Sequence, residues 1–144
     1  MVHLEEITPE NWRVKLSVRE DQQHFVADKV GILARAYAYR DHGSNAFFVY
    51  NEDVPVGIAL YYDNEEDGYY NFSQFFIDQR YQQNGFGYAA ATQILERMRR
   101  EGKYDKVCLC YMEGDIAAKK LYQKLGFQLN GEAYENEIIM EMQL

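Results

Sequence analysis

Residues 79–84 constrain the fold most, because the hydrophobic period changes across them. Before them, Ala46–Asn51, Val56–Tyr62 and Tyr69–Asp78 are runs rich in β-branched and aromatic residues. The polar turns Asn51–Pro55 and Asp63–Gly68 separate these runs, which therefore read as three consecutive antiparallel strands. After them, Gly87, Ala90, Ala91, Ile94, Leu95 and Met98 recur at spacings of three and four, which predicts one amphipathic helix over Gly85–Glu101. Arg97, Arg99 and Arg100 lie toward its negative end, and Gly102 can stop it. A strand meander that feeds such a helix through a short loop implies a sheet with the helix packed on it.

The remaining elements extend that pattern. Lys106–Met112 reads as a strand, Asp115–Leu125 as a short helix closed by Gly126, and Gln128–Tyr134 with Glu137–Gln143 as a last hairpin. Upstream, residues 2–7 suit a strand. Thr8-Pro9-Glu10 reads as a helix start, with Thr as cap and Pro in the first turn. A further helical stretch is expected over 21–40, with Phe25, Lys29, Ile32, Ala36 and Tyr39 on one side; Gly31 weakens it, which leaves two short helices as an alternative to one. The sum is an α/β (α+β) fold with a mixed sheet. With no repeat, no low-complexity tract and only two prolines, residues 1–144 are expected to form a single domain.

Charge excludes some functions. The net charge of −8 argues against a nucleic-acid binder, which needs a basic face. It suits a small cationic partner drawn in by the protein's field. No apolar run approaches the roughly 18 residues that span a bilayer, and Met1–Ile7 lacks a signal core, so a soluble cytoplasmic protein without a membrane partner is expected. Cys108 and Cys110 are too close for an ordinary disulfide, and no His or Cys cluster completes a metal site. Both thiols are expected to be buried or half-buried.

Gln82-Gln83-Asn84-Gly85-Phe86-Gly87 stands where a strand passes into a helix. A loop there presents unpaired N–H groups and a partial positive charge, and glycines let its backbone approach a diphosphate. A mononucleotide P-loop would need Gly-Lys-Ser/Thr, which is absent. The dinucleotide fingerprint is a poor fit behind an antiparallel meander.

In these residues the chain resembles the GNAT acetyltransferases. Gln82, Gly85 and Gly87 match the family's Arg/Gln-x-x-Gly-x-Gly/Ala motif, and Asp115, Ala118, Tyr122, Gly126 and Phe127 occupy its second motif, Asn-x-x-Ala-x-x-x-Tyr-x-x-x-Gly-Phe. The resemblance implies a mostly antiparallel sheet with helices on both faces and splayed central strands. It implies acetyl-CoA as cosubstrate, without a metal. The backbone of Gln82, Gln83, Asn84, Gly85, Phe86, Gly87 and Tyr88 would hold its diphosphate. Phe75 and Ile77 would pair with the pantetheine arm through their open strand edge. Asp115 stands where the family has Asn; ionised, it accepts but cannot donate, so its contact with pantetheine is in question while its capping role is intact. Family relatives are often homodimers.

The runs Phe75–Gln82 and Leu121–Gln128 and the ending Leu129–Glu132 are similar to bacterial spermine/spermidine acetyltransferases. By resemblance Tyr122 is the catalytic acid: a phenol with a pKa near 10 stays protonated at neutral pH and can donate to a departing thiolate. Related polyamine enzymes place a glutamate on the central strand, but Ser73 and Gln74 occupy that stretch here, which leaves a water chain to a more distant acid as the base. Asp63, Glu65, Glu66 and Asp67 read either as a solvated hairpin tip or as an attractor for a polycation, with Tyr61, Tyr62, Tyr69 and Tyr70 alongside. Two alternatives stand beside the polyamine reading. One is acetylation of another amine, such as a protein N-terminus, an amino acid or an aminoglycoside; the other is a non-catalytic acyl-CoA-binding module.

Overall fold

The computed structural model describes residues 1–144. Seven strands form one sheet: β1 (Val2–Glu6), β2 (Asn45–Asn51), β3 (Val54–Asn64), β4 (Tyr69–Ile77), β5 (Lys106–Met112), β6 (Gln128–Tyr134) and β7 (Glu137–Gln143). Their spatial order is β1-β2-β3-β4-β5-β7-β6. Every pairing is antiparallel except β4 with β5. Helices α1 (Lys29–Ala38), α2 (Phe86–Glu101) and α3 (Ile116–Leu125) cover the faces.

Both faces of the sheet are buried, as β3 shows. Ile58, Leu60 and Tyr62 point into a cluster with Leu16, Ile32, Phe48 and Phe76, on the side of α1. Ala59 and Tyr61 point the other way, into a larger core with Ala90, Ile94 and Met98 of α2 and Tyr122 of α3. Alternation along a strand sends successive side chains to opposite faces. Each fully buried Ile or Leu contributes about 1.5–3 kcal/mol relative to exposure. Two phenols of this core are satisfied: Tyr61 Oη donates to Glu101 at 2.6 Å, and Tyr70 Oη donates to the Met98 carbonyl at 3.1 Å. These bonds pin the C-terminal end of α2, which closes at Gly102 with φ +66°.

Two irregularities open the sheet at its centre. In the β3–β4 ladder Leu60 faces Gln74 while Tyr61 faces Phe72, so Ser73 is an extra residue on β4. Such a bulge bends its strand and increases the twist. The parallel contact of β4 with β5 holds only Tyr70 to Val107 and Asn71 to Cys108. Beyond the bulge the two strands diverge and leave a fork.

The N-terminal segment departs from the sequence pattern. Thr8 caps only a turn: its side chain accepts from the N–H of Glu10 and Asn11, and no helix follows. Val14, Leu16 and Val18 alternate with period two, which does not sustain a helix. Of the stretch 21–40, a 3-10 turn at Glu20–Gln22 and α1 form. Asp28 caps α1 by accepting from Gly31 N at 2.6 Å, so Gly31 lies in its first turn rather than at a break. Cys108 is buried as expected, whereas Cys110 is exposed, because β5 there has left β4.

Candidate active site

The fork opens into a cleft of about 390 Å³. Its floor is Phe75, Phe76 and Ile77 of β4. One wall is the loop leading into α2, and the other is α3 with Asp115, Ala118 and Tyr122. Residues 18–26 close the remaining side.

The loop is fixed from behind. Asp78, almost wholly buried, accepts from Arg80 N (2.9 Å), Arg80 Nε (2.8 Å) and Ser17 N (2.9 Å). Burial pushes its carboxyl pKa up, but these hydrogen bonds outweigh that and hold it below the ordinary value. Gln82 Nε2 donates to the Ile77 carbonyl at 2.9 Å and to Gln22 Oε1 at 3.0 Å, while Gln82 Oε1 accepts from Arg19 Nη1 at 3.2 Å. Asn84 Nδ2 donates to the carbonyls of Tyr81 and Gln82.

No backbone carbonyl of the protein accepts from the N–H groups of residues 82–88. Gln83 at φ +65° and Gly85 at φ +80° bend the chain just ahead of the N-terminus of α2. Across its 16 residues the helix dipole adds partial positive charge there. A Cβ on Gly85 would meet nothing within 4 Å, so the space above the loop is open to a ligand. A Cβ on Gly87 would meet Ile77 and Leu121 only at ordinary contact distances of 3.6 and 3.7 Å, so packing alone does not require glycine there.

The floor supplies the second recognition element. Asp78 N donates to the Val56 carbonyl, and alternate residues of a strand point their polar groups to the same edge. The main-chain groups of Phe75 and Ile77 therefore face the fork. The Ile77 carbonyl is taken by Gln82, and the Phe75 edge remains for strand addition.

Tyr122 lies between Phe72 and Phe127, with ring centroids at 6.3 and 5.7 Å in edge-on contacts. No buried side-chain oxygen in the chain lacks a partner, and Tyr122 Oη bonds to none within the protein, so the hydroxyl opens onto the cleft. Burial pushes its pKa well above that of a free phenol, and the negative potentials of Asp115 and Cys110 add to this. Asp115 caps α3, accepting from Ala118 N at 3.1 Å. Burial raises its pKa, against the lowering effects of that bond and of His24.

The structure thus gathers Phe75, Ile77, Gln82, Gln83, Gly85, Phe86, Gly87, Tyr88, Asp115, Ala118 and Tyr122 around one cleft. Asn84 braces the loop instead of lining it. The acidic turn stands apart. Asp63, Glu65 and Glu66 border a separate depression of about 470 Å³ with Tyr39, His42 and Tyr62. Asp63 receives Lys103 Nζ at 2.8 Å, Glu65 pairs with His42 at 3.5 Å, and Asp67 accepts from Asn64 at 3.3 Å. Tyr61 and Tyr70 point into the core and cannot face a cation there. Sequence reasoning missed the wall formed by Val18, Arg19, Gln22, Phe25 and Val26; the period-two run Val14–Val18 was its one visible signal.

A model of the acetyltransferase (GNAT) family matches residues 4–127. The chain belongs to this family. It is an acetyl-CoA-dependent N-acetyltransferase. A spermine/spermidine N(1)-acetyltransferase of Bacillus subtilis is 34% identical over 103 residues, covering 67% of this chain and 68% of the relative. A GNAT family acetyltransferase from Elizabethkingia anophelis, solved with acetyl-CoA bound, superposes with a TM-score of 0.72 at 13% identity, over 99% of this chain and 98% of that one. A Salmonella typhimurium acetyltransferase that modifies the N-terminal serine of ribosomal protein L7/L12 gives 0.67 at 9% identity, over 81% and 73%. These last two show the shared fold. No helix is long and apolar enough to cross a membrane.

Proposed function

We propose that the protein transfers the acetyl group of acetyl-CoA to a primary amine of a polyamine, spermine or spermidine, with Tyr122 as the general acid. The observation that carries the acid is the Tyr122 hydroxyl, protonated, without a protein partner and open to the fork beside the free edge of Phe75. The B. subtilis relative supports the acceptor.

The loop amides of residues 82–88 hold the diphosphate, and the Phe75 edge aligns the thioester arm. A polyamine nitrogen has a pKa of about 10.4 and loses its proton to water before attack. Its lone pair forms the new C–N bond at the thioester carbonyl. As the C–S bond breaks, Tyr122 Oη gives its proton to the sulfur, and the second proton, which the nitrogen loses once the C–N bond has formed, reprotonates the tyrosine through water. The Ser73 hydroxyl accepts from Arg35 Nη1 at 3.1 Å and Gln74 Oε1 accepts from Ala27 N at 3.1 Å; neither is a carboxylate, so this stretch supplies no base.

A second reading draws on Arg35. Its guanidinium sits at the bulge, and no ion pair of the chain includes it. An unpaired cation there favours an acceptor that carries a carboxylate, such as an amino acid or a peptide. Thiol release from acetyl-CoA with a panel of amines separates the two. Release selective for spermine and spermidine supports the first reading; release with amino acids or peptides and none with polyamines overturns it.

A further inference from the structure

Only two cations border the cleft, Arg19 and Lys124. Arg19 is committed, with Nε to Asp21 at 3.2 Å and Nη1 to Gln82 at 3.2 Å. Lys124 is in none of the chain's ion pairs. Its Nζ lies 4.5 Å from the centroid of the Tyr88 ring, which is itself exposed at 39%. A ring face attracts an ammonium but leaves its charge unneutralised.

The position of this pair gives it a role. Tyr88 is in the first turn of α2, next to the amides that suit a diphosphate. Lys124 is in the last turn of α3, two residues beyond Tyr122. Both border the cleft, but Tyr122 is buried at the fork, where the thioester reacts, whereas Lys124 is exposed beside Tyr88, at the outer mouth of the cleft. The part of acetyl-CoA beyond the diphosphate, away from the thioester, is the adenosine with its 3′-phosphate. In a chain of net charge −8, an uncommitted lysine at that mouth supplies local positive charge for a dianion.

We propose that Lys124, held in place by the ring of Tyr88, binds the 3′-phosphate of coenzyme A and gives the enzyme its preference for the 3′-phosphorylated cosubstrate. This rests on the assignment of the cleft to acetyl-CoA. It goes beyond that assignment by naming the group that reads the nucleotide's distal phosphate.

The test is direct binding, by titration calorimetry, of CoA and of 3′-dephospho-CoA to the full chain and to Lys124→Gln and Lys124→Arg. Lys124 is exposed, so all three proteins should fold alike, with melting temperatures as control. The native chain should bind CoA about tenfold more tightly than dephospho-CoA, and rising salt should shrink the ratio. Lys124→Gln should bring the ratio close to one by weakening CoA alone, and Lys124→Arg should keep most of it. A native ratio near one, or an undiminished ratio in Lys124→Gln, overturns the proposal. Failure of the native chain to bind either nucleotide would instead overturn the assignment of the cleft itself.

Discussion

The Gln82 side-chain amide donates to the main-chain carbonyl of Ile77 at 2.9 Å, so the loop is tied back to the last residue of β4. The same side chain pairs with Gln22 and Arg19 across the cleft. One glutamine therefore sets the spacing between the diphosphate site, the open strand edge and the wall of residues 18–26. Replacing it with Leu leaves a half-buried carbonyl without its donor and frees the loop. An unmade bond of this kind costs about 1–2 kcal/mol. Gln82→Leu should weaken CoA binding by roughly fivefold to thirtyfold. Calorimetry checks this, and an unchanged dissociation constant would show that the loop holds its shape without the tie.

How far this arrangement is legible in the sequence depends on whether a residue's partner is near in the chain. In α2, Ala90, Ala91, Ile94, Leu95 and Met98 announce their face by spacing, and all five are buried. The last strands β5, β6 and β7 start and end where the turn residues place them. The bulge leaves a fainter trace: Tyr70 and Phe72 share a face with Phe75, breaking the alternation at Ser73. Residues 14–26 leave almost none. They are held by side chains about sixty positions away, with Ser17 N on Asp78 and the Lys15 carbonyl on Arg80, and such bonds impose no period. A wall of the cleft was invisible for that reason. The two family motifs, by contrast, are local, and they marked both the loop and Tyr122.

Tyr122→Phe tests the proton donor. The ring keeps its contacts with Phe72 and Phe127, and the lost hydroxyl has no partner in the protein, so stability and CoA affinity should stay within about twofold. Turnover should fall by about 10²-fold, the range for a positioned general acid. Because burial raises the phenol's pKa, Tyr122 remains protonated through the usual assay range. The pH profile of the native enzyme should show no loss of activity from this group below about pH 10. Unaltered turnover in the Phe variant removes Tyr122 from the mechanism.

Asp115 makes the opposite kind of prediction, in which a substitution stabilises. Its folded pKa is raised above the ordinary 3.8, chiefly by burial. Folding thus favours the protonated form, and stability linked to this group is complete below the unfolded pKa and lost as pH rises through the folded one. Asn caps a helix as well as Asp and carries no charge. Asp115→Asn should therefore raise Tm at pH 7.5 by roughly 1–4 °C, and the gain should vanish as pH approaches 4. It also supplies a donor that Asp115 lacks when ionised, so CoA affinity should hold or rise. A Tm difference that grows toward low pH would contradict this account.

The acidic turn at the tip of β3 and β4 separates attraction from chemistry. Its carboxylates lie outside the cleft, so any help they give a polycation acts on arrival and residence rather than on the reacting atoms. Asp63 also has a structural task, its pair with Lys103. Losing that pair costs about 1 kcal/mol or less, because Lys103 is substantially exposed. The clean variant is therefore Glu65→Gln with Glu66→Gln and Asp67→Asn, leaving Asp63 in place. If the turn draws in the substrate, this triple change should raise the KM for spermine about threefold to tenfold at low salt while kcat moves less than twofold. The effect should shrink in 0.5 M salt, where screening removes long-range attraction. Adding Asp63→Asn should lower Tm and raise KM further. A KM for spermine that stays unchanged in both variants would reduce the turn to a solvated hairpin tip.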